Sequence, residues 1–127
     1  MNLLNLFKSS ENIVEYHQGE IIFSEGTHGD VMYAVLDGEV EIIVNNNPVE
    51  VIKPGNIFGE MALIEESFRS ATAIARTECK LALVDQKKFL YMVQQTPYFS
   101  LEIMRLLADR LRNMNSGGQT RNLNSQS

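Results

Sequence analysis

Short apolar runs, broken by turn-forming residues about every 8 to 12 positions, fill the chain from Ile13 to Asp85. That spacing is the signature of an all-β region. The runs predict strands over residues 20–24, 31–36, 40–44, 49–52, 71–75 and 80–84. The punctuation comes from Gly19, Gly26-Thr27-His28-Gly29-Asp30, Asp37-Gly38, Asn45-Asn46-Asn47-Pro48 and Pro54-Gly55-Asn56, residue types that supply the dihedral angles of tight turns. Asp37-Gly38, between two apolar runs, is the strongest hairpin signal in the chain. Tyr16 and Tyr33 fall within strands and read as core or strand-pair residues. Strands this short and numerous must close on one another or stack, which predicts a small barrel or jelly roll.

After Asp85 the period changes from strand-like to helical. Asp85 suits an N-cap, and residues 86–95 read as a helix with Phe89, Leu90 and Val93 on one side. Pro97 stops it. A second helix is predicted over residues 98–112, with Leu101, Met104, Ala108 and Leu111 stacked at spacings of three and four. Ile103, Leu106 and Leu107 widen that stripe beyond one packing surface, so one side is expected to cover the barrel and the other to meet a ligand or a second subunit. Residues 113–127 are dominated by Asn, Ser, Gly and Gln, with Arg121 the lone charge, the composition of a disordered tail. At the other end, residues 1–7 suggest a short amphipathic helix. They lack a basic leader, and Lys8 interrupts them too early for a signal peptide or a membrane span. Residues 1–112 are thus expected to form one domain and residues 113–127 a tail.

Composition narrows the class of function. The 127 residues carry 11 Lys and Arg against 16 Asp and Glu, a net charge of −5. Nucleic-acid binding relies on a basic face that neutralises phosphates, so neither DNA nor RNA is an expected partner, although a small anion needs only one or two local cations. One cysteine, Cys79, excludes an internal disulfide and, in its alternating apolar run, reads as a core residue in a reducing, cytoplasmic setting. His17 and His28 are the only histidines, each in or beside a turn and without a partner at metal-ligand spacing. There is no Ser-His-Asp or Cys-His arrangement, no Walker loop and no Gly-x-Gly-x-x-Gly after a strand, so no enzymatic activity is expected.

The chemistry concentrates in residues 58–72, Phe58-Gly59-Glu60-Met61-Ala62-Leu63-Ile64-Glu65-Glu66-Ser67-Phe68-Arg69-Ser70-Ala71-Thr72. Gly59 lets backbone approach a ligand closely. Residues 61–64 suit one helical turn, whose free N–H groups favour an anion. Nine residues after Glu60, Arg69 offers a planar fork suited to phosphate, and Glu60 could accept hydrogen bonds from sugar hydroxyls. Two readings are open on these residues alone: a site for a small phosphorylated sugar or nucleotide, or a Glu60–Arg69 salt bridge bracing a loop.

The order of residues resembles the phosphate-binding cassette of the cyclic nucleotide-binding domain family, that of Crp-type regulators and protein kinase A regulatory subunits. The family pattern of Phe-Gly-Glu, a small or apolar residue, Ala-Leu, a variable loop, then Arg, a small residue, Ala and Thr or Ser is met by Phe58-Gly59-Glu60-Met61-Ala62-Leu63 and Arg69-Ser70-Ala71-Thr72. The likeness extends to residues 19–26, 30–40 and Pro54-Gly55, and covers roughly residues 13–112. It implies a mainly β fold with flanking helices, a double-stranded β-helix (jelly-roll) barrel with a short N-terminal helix and two C-terminal helices. It also implies that Glu60 holds the ribose 2′-hydroxyl and Arg69 an exocyclic phosphate oxygen. Backbone amides around Gly59, Met61, Ala62, Ser70 and Ala71 would complete the cradle. The Met61 side chain would touch a purine or fill the core, and Glu65 and Glu66 would point to solvent. Phe68 departs from the family, which often has a stiffening Pro before the Arg.

The resemblance implies a regulatory sensor whose ligand is cyclic AMP, with cyclic GMP as the alternative, and which needs no other cofactor or metal. Residues 98–112 resemble the family's mobile C-terminal helix, which caps the base and often pairs two subunits, so a homodimer and an effector protein or fused effector domain are the expected partners. No membrane is implied. Met1 favours a free-standing binder over a sensor domain cut from a longer chain. The competing expectation is an orphan domain of the same fold, used for dimerisation or docking without nucleotide. The presence of both Glu60 and Arg69 speaks against it.

Overall fold

Eight strands pair into two four-stranded antiparallel sheets, with element order β1 (Ile13–Tyr16), β2 (Ile21–Phe23), β3 (Val31–Asp37), β4 (Val40–Val44), β5 (Asn47–Ile52), β6 (Ile57–Phe58), β7 (Thr72–Ala75) and β8 (Cys79–Asp85). The first sheet runs β1-β8-β3-β6 and the second β2-β7-β4-β5. A short helix α1 (Glu60–Glu65) lies between β6 and β7, and α2 (Gln86–Gln95) and α3 (Pro97–Gly118) follow β8. This is the jelly-roll arrangement expected from the strand spacing. The computed structural model describes Phe7, residues 12–65 and residues 68–118, and divides into two compact units, Met1–Tyr91 and Met92–Ser127. Apart from Phe7, which is helical and buried, the predicted N-terminal helix lies outside the described residues, as do residues 119–127 of the predicted tail.

Within the first unit, inward side chains of both sheets form one core. Tyr33 and Val35 of β3, Leu81 of β8 and Phe58 of β6 meet Val40, Ile52, Ala73 and Ala75 from the second sheet, with Cys79 among them. Burial of such groups, at about 25 cal/mol for each Å² of apolar surface, is the main force joining the sheets. At the centre of the first sheet the other face is buried too, since Met32, Ala34, Ala82 and Val84 are all at most 2% exposed. That is why β3 and β8 read as near-continuous apolar runs rather than as clean alternation. β1 holds Tyr16, expected in a strand although no bounds were predicted for it, and β6 lies outside the predicted segments, since a two-residue strand is too short to show a period.

The predicted hairpin at Asp37-Gly38 is not one. β3 pairs with β6 and β8, whereas β4 pairs with β5 and β7, so this turn carries the chain from one sheet to the other. Its conformation is set by distant chain. Gly38 has φ 86°, and a Cβ there would overlap the Glu78 carbonyl oxygen and lie 2.9 Å from Thr77 Oγ1. Thr77 Oγ1 also accepts from the Glu39 N–H at 3.0 Å, and Arg76 N–H donates to the Glu39 carbonyl at 2.9 Å. The hairpin is instead β4–β5, turned by Asn45 and Asn46 with φ of 51° and 66°, two consecutive left-handed residues as a type I′ turn requires.

Asp85 caps α2 as expected, its Oδ1 accepting the Lys88 N–H at 2.7 Å. The buried face of α2 differs from prediction, and in α3 the structure chooses between two apolar sides that the sequence left open. In α2 Met92 is buried, Phe89 and Val93 are half-buried, and Leu90 is exposed. In α3 the buried positions are Phe99 and Ile103, with Leu106, Leu107 and Arg110 half-buried, while Leu101, Met104, Ala108 and Leu111 are exposed. Both apolar stripes satisfy a helical period, so periodicity alone could not choose between them. Helix α3 also runs six residues past Arg112 and ends at Gly118. Extending a formed helix costs little even through Asn and Ser.

Candidate functional site

β6 delivers the chain to the cassette. Phe58 is buried and stacks on Tyr33, ring centroids 5.0 Å apart and planes 10° from parallel; Phe23 sits 5.9 Å from both rings. Gly59 then turns with φ 77°, a left-handed conformation open chiefly to glycine. A Cβ at that position would also lie 2.8 Å from Arg69 Nη1. Glu60 opens α1, and Glu60, Ala62 and Leu63 are buried while Met61 and Ile64 are exposed.

Arg69 comes back to this corner from the far side of the cassette. Its backbone pairs with the β2–β3 loop: Gly26 N–H donates to the Arg69 carbonyl at 2.8 Å, and Arg69 N–H donates to the Thr27 carbonyl at 2.6 Å. An isolated antiparallel bridge joins His28 to Phe68, whose rings meet edge to face at 6.1 Å. So anchored, the Arg69 side chain is only 5% exposed. Nη1 donates to the Gly59 carbonyl at 3.0 Å and Nη2 to the Val31 carbonyl at 2.8 Å. The guanidinium carbon lies 4.1 Å from the Phe23 ring centroid and 5.8 Å from that of Tyr33, a cation–π seat. Burial holds the guanidinium pKa below its ordinary value, opposed by Tyr33, Asp30 and Glu60. Burial likewise raises the pKa of Tyr33.

The fold therefore brings Glu60 and Arg69 to one corner around Gly59, across the nine residues that separate them. The loop-bracing reading is realised in another form: Arg69 does tie chain segments together, through backbone carbonyls of Gly59 and Val31. Its Nε is buried with no hydrogen-bond partner. A buried donor left so costs about 1–3 kcal/mol, and a guanidinium has five N–H groups in a fixed fork. An oxyanion entering this corner would meet a cation that is seated but not saturated. Among the remaining predicted site residues, Ser70 is exposed, Ala71 is half-buried and Glu65 is exposed, while Glu66 lies outside the described residues. Phe23, Gly29, Val31 and Tyr33 were not predicted as site residues. Their contributions are a ring face, an absent side chain, a carbonyl and a second ring; Phe23, Val31 and Tyr33 lie in the segments that share the family likeness, but nothing in residue type marked them as part of the site.

Elsewhere the charged and nucleophilic groups have local roles. His17 and Glu78 form an exposed ion pair, Nδ1 to Oε1 at 2.9 Å. Cys79 is buried, its Sγ 3.1 Å from the Glu39 carbonyl, and burial raises its pKa. Among the described residues no group of three His, Cys, Asp or Glu side chains is placed to hold a metal ion, and no helix is long and apolar enough to cross a membrane.

Comparison with known proteins bears directly on this corner. A family profile described as the cyclic nucleotide-binding domain matches residues 13–96. The cyclic AMP receptor protein of Thermus thermophilus is 32% identical over 102 residues, covering 76% of this chain and 47% of that protein. The cAMP-dependent protein kinase regulatory subunit of Schizosaccharomyces pombe is 42% identical over 77 residues, covering 60% of this chain and 19% of that protein. The crystal structure of the Thermus thermophilus catabolite activator protein superposes with a TM-score of 0.78 at 29% identity, over 90% of this chain and 56% of that one. The chain thus spans about half or less of the length of these two curated relatives.

Proposed function

The chain belongs to the cyclic nucleotide-binding domain family, and from that premise we propose that it is a small regulatory sensor that binds a cyclic mononucleotide, cyclic AMP foremost, and catalyses nothing. The observation that carries this reading is the Arg69 guanidinium, buried beside Gly59 and Glu60 with Nε lacking a partner. A cyclic phosphate supplies what that group lacks, a negative charge and several acceptor oxygens. In this reading Arg69 takes an exocyclic phosphate oxygen, Glu60 accepts from the ribose 2′-hydroxyl, and amides of Gly59, Met61, Ala62, Ser70 and Ala71 complete the cradle. The names of two relatives specify cyclic AMP, which supports that ligand.

The binding domain is assigned to residues 1–112, and the output to α3. A ligand moves an element only through a difference in affinity between its two positions. Leu101, Met104 and Leu111 expose 36%, 58% and 59% of their surface, an apolar face suited to a second subunit or an effector. Nucleotide binding is proposed to reposition this helix, in a cytoplasmic setting where Cys79 stays reduced. Calorimetric titration with cyclic AMP and cyclic GMP tests the reading, and tighter binding of cyclic AMP is expected. Absence of heat with either would favour the orphan docking module, the reading supported by Phe68, which is 67% exposed where the family often has Pro.

A further inference from the structure

Gly29 lies forty residues before Arg69 in the chain, in the loop between β2 and β3, yet the Arg69 side chain lies where a side chain on Gly29 would begin. A Cβ built on Gly29 would overlap Nε and Cζ of Arg69 and lie 2.8 Å from its Cδ. Backbone conformation does not demand glycine here, because Gly29 is absent from the positive-φ residues, among them Gly26, Gly38 and Gly59. The demand is steric, and it comes from one side chain. Other sides of the guanidinium are also occupied: the Gly59 and Val31 carbonyls accept from its two ends and the Phe23 ring lies against its face. The loop itself is tied to Arg69 by the Gly26–Arg69 and Arg69–Thr27 backbone bonds and the His28–Phe68 bridge. Those bonds hold the loop immediately before Gly29, and the pairing of β3 from Val31 holds the chain just after it, so the loop cannot simply swing away from a new methyl group and the guanidinium must move instead.

We propose that Gly29 is the positioning residue of Arg69: its missing side chain is the space in which the guanidinium is seated, and it thereby sets where the cation is presented to a phosphate. The part concerning phosphate rests on the function proposed above; the part concerning the seat does not. Gly29→Ala adds a single methyl group at a backbone conformation that alanine tolerates. It should displace the guanidinium and break its bonds to Gly59 and Val31, lowering thermal stability and weakening cyclic AMP binding tenfold or more.

The test is a double-mutant cycle on the full chain, comparing wild type, Gly29→Ala, Arg69→Ala and the pair by thermal melting without nucleotide and by calorimetry with cyclic AMP. With Arg69 present, Gly29→Ala should lower Tm. With Arg69→Ala it should be neutral or slightly stabilising, because the clash is gone and alanine restricts the unfolded chain. That change of sign is what a purely local role of the loop would not produce. An equal loss of Tm in both backgrounds, or wild-type Tm and affinity for Gly29→Ala, overturns the proposal. If Gly29→Ala alone does not fold, recovery of folding in the double mutant supports the seat, and failure of both overturns it. Should wild type bind neither cyclic AMP nor cyclic GMP, the nucleotide reading falls, while the melting cycle still decides the seat.

Discussion

Arg69 and His17 each hold a charge against oxygen acceptors, and the two sites differ in almost everything else. The Arg69 guanidinium is enclosed by two carbonyls, an aromatic ring and a glycine that leaves it room. His17 and Glu78 face each other in water, their side chains 83% and 71% exposed. A buried cation interacts through a low local dielectric and is screened far less than an exposed one, so each bond it makes or lacks matters. An exposed pair gives back most of its Coulomb energy to solvent and to side-chain entropy. The contrast shows what sets Arg69 apart from an exposed charge: burial supplies the leverage, and the fold supplies the burial.

The sharpest way to break that contrast is Arg69→Ala. Loss of a charge-assisted bond to phosphate, worth about 1.5–3 kcal/mol, should weaken cyclic AMP binding tenfold or more in a calorimetric titration. Because Arg69 also bonds Gly59 and Val31 in the unliganded protein, Tm should fall as well. Arg69→Lys keeps the charge but lacks the planar fork, and it should recover little of the affinity. Affinity equal to wild type in both variants would remove Arg69 from the site.

Next in size is the sugar. Cyclic AMP lacking the 2′-hydroxyl should bind wild type less well by about 1–3 kcal/mol, the cost of leaving the buried Glu60 acceptor without its ligand bond. In Glu60→Ala the two nucleotides should bind alike. A wild type that does not distinguish them would place Glu60 outside the sugar site. Gly59→Ala should come third, lowering stability by about 1–2 kcal/mol for a non-glycine residue in the left-handed region. Its Cβ, 2.8 Å from Arg69 Nη1, would also press on the seat. Chemical denaturation of this variant with and without cyclic AMP separates the two costs.

The smallest effect belongs to His17→Ala, and it depends on pH. The hydrogen bond and charge of Glu78 raise the His17 pKa above 6.5, so this contribution is present below that value and disappears as pH rises through the folded-state pKa. Glu78 is shifted the other way, below 4.5, chiefly by the Gln18 N–H and then by His17, so its contribution is present above 4.5 and lost on acidification. Thermal melts should show the difference between His17→Ala and wild type between pH 4.5 and 6.5, fading on either side. A difference that persists at pH 9 would mean that His17 acts through packing rather than charge.

Local chemistry was readable wherever neighbours in the chain set the conformation. The alternation of apolar runs marked most strands, Asp85 announced its own cap, and the order of Gly59, Glu60 and Arg69 gave the site's chemical character. Asp37-Gly38 and Asn45-Asn46 show where that reading ends. Both pairs offer left-handed conformers, yet only the asparagines form a hairpin, because Gly38 is fitted against Glu78 and Thr77 from the other end of the fold. The two apolar stripes of α3 make the same point, since period alone does not say which one is buried.

Propensity, capping and residue chemistry act over a few bonds and are written wherever the residues stand. Sheet membership, the buried stripe of a helix and the space beside Gly29 depend on segments tens of residues apart that meet only once the chain has folded. The residue types of Gly59, Glu60 and Arg69 announced a cation, a carboxylate and a close-approach turn. Their convergence on one corner, with the cation pressed against a bare glycine and still short of a partner, was decided by packing.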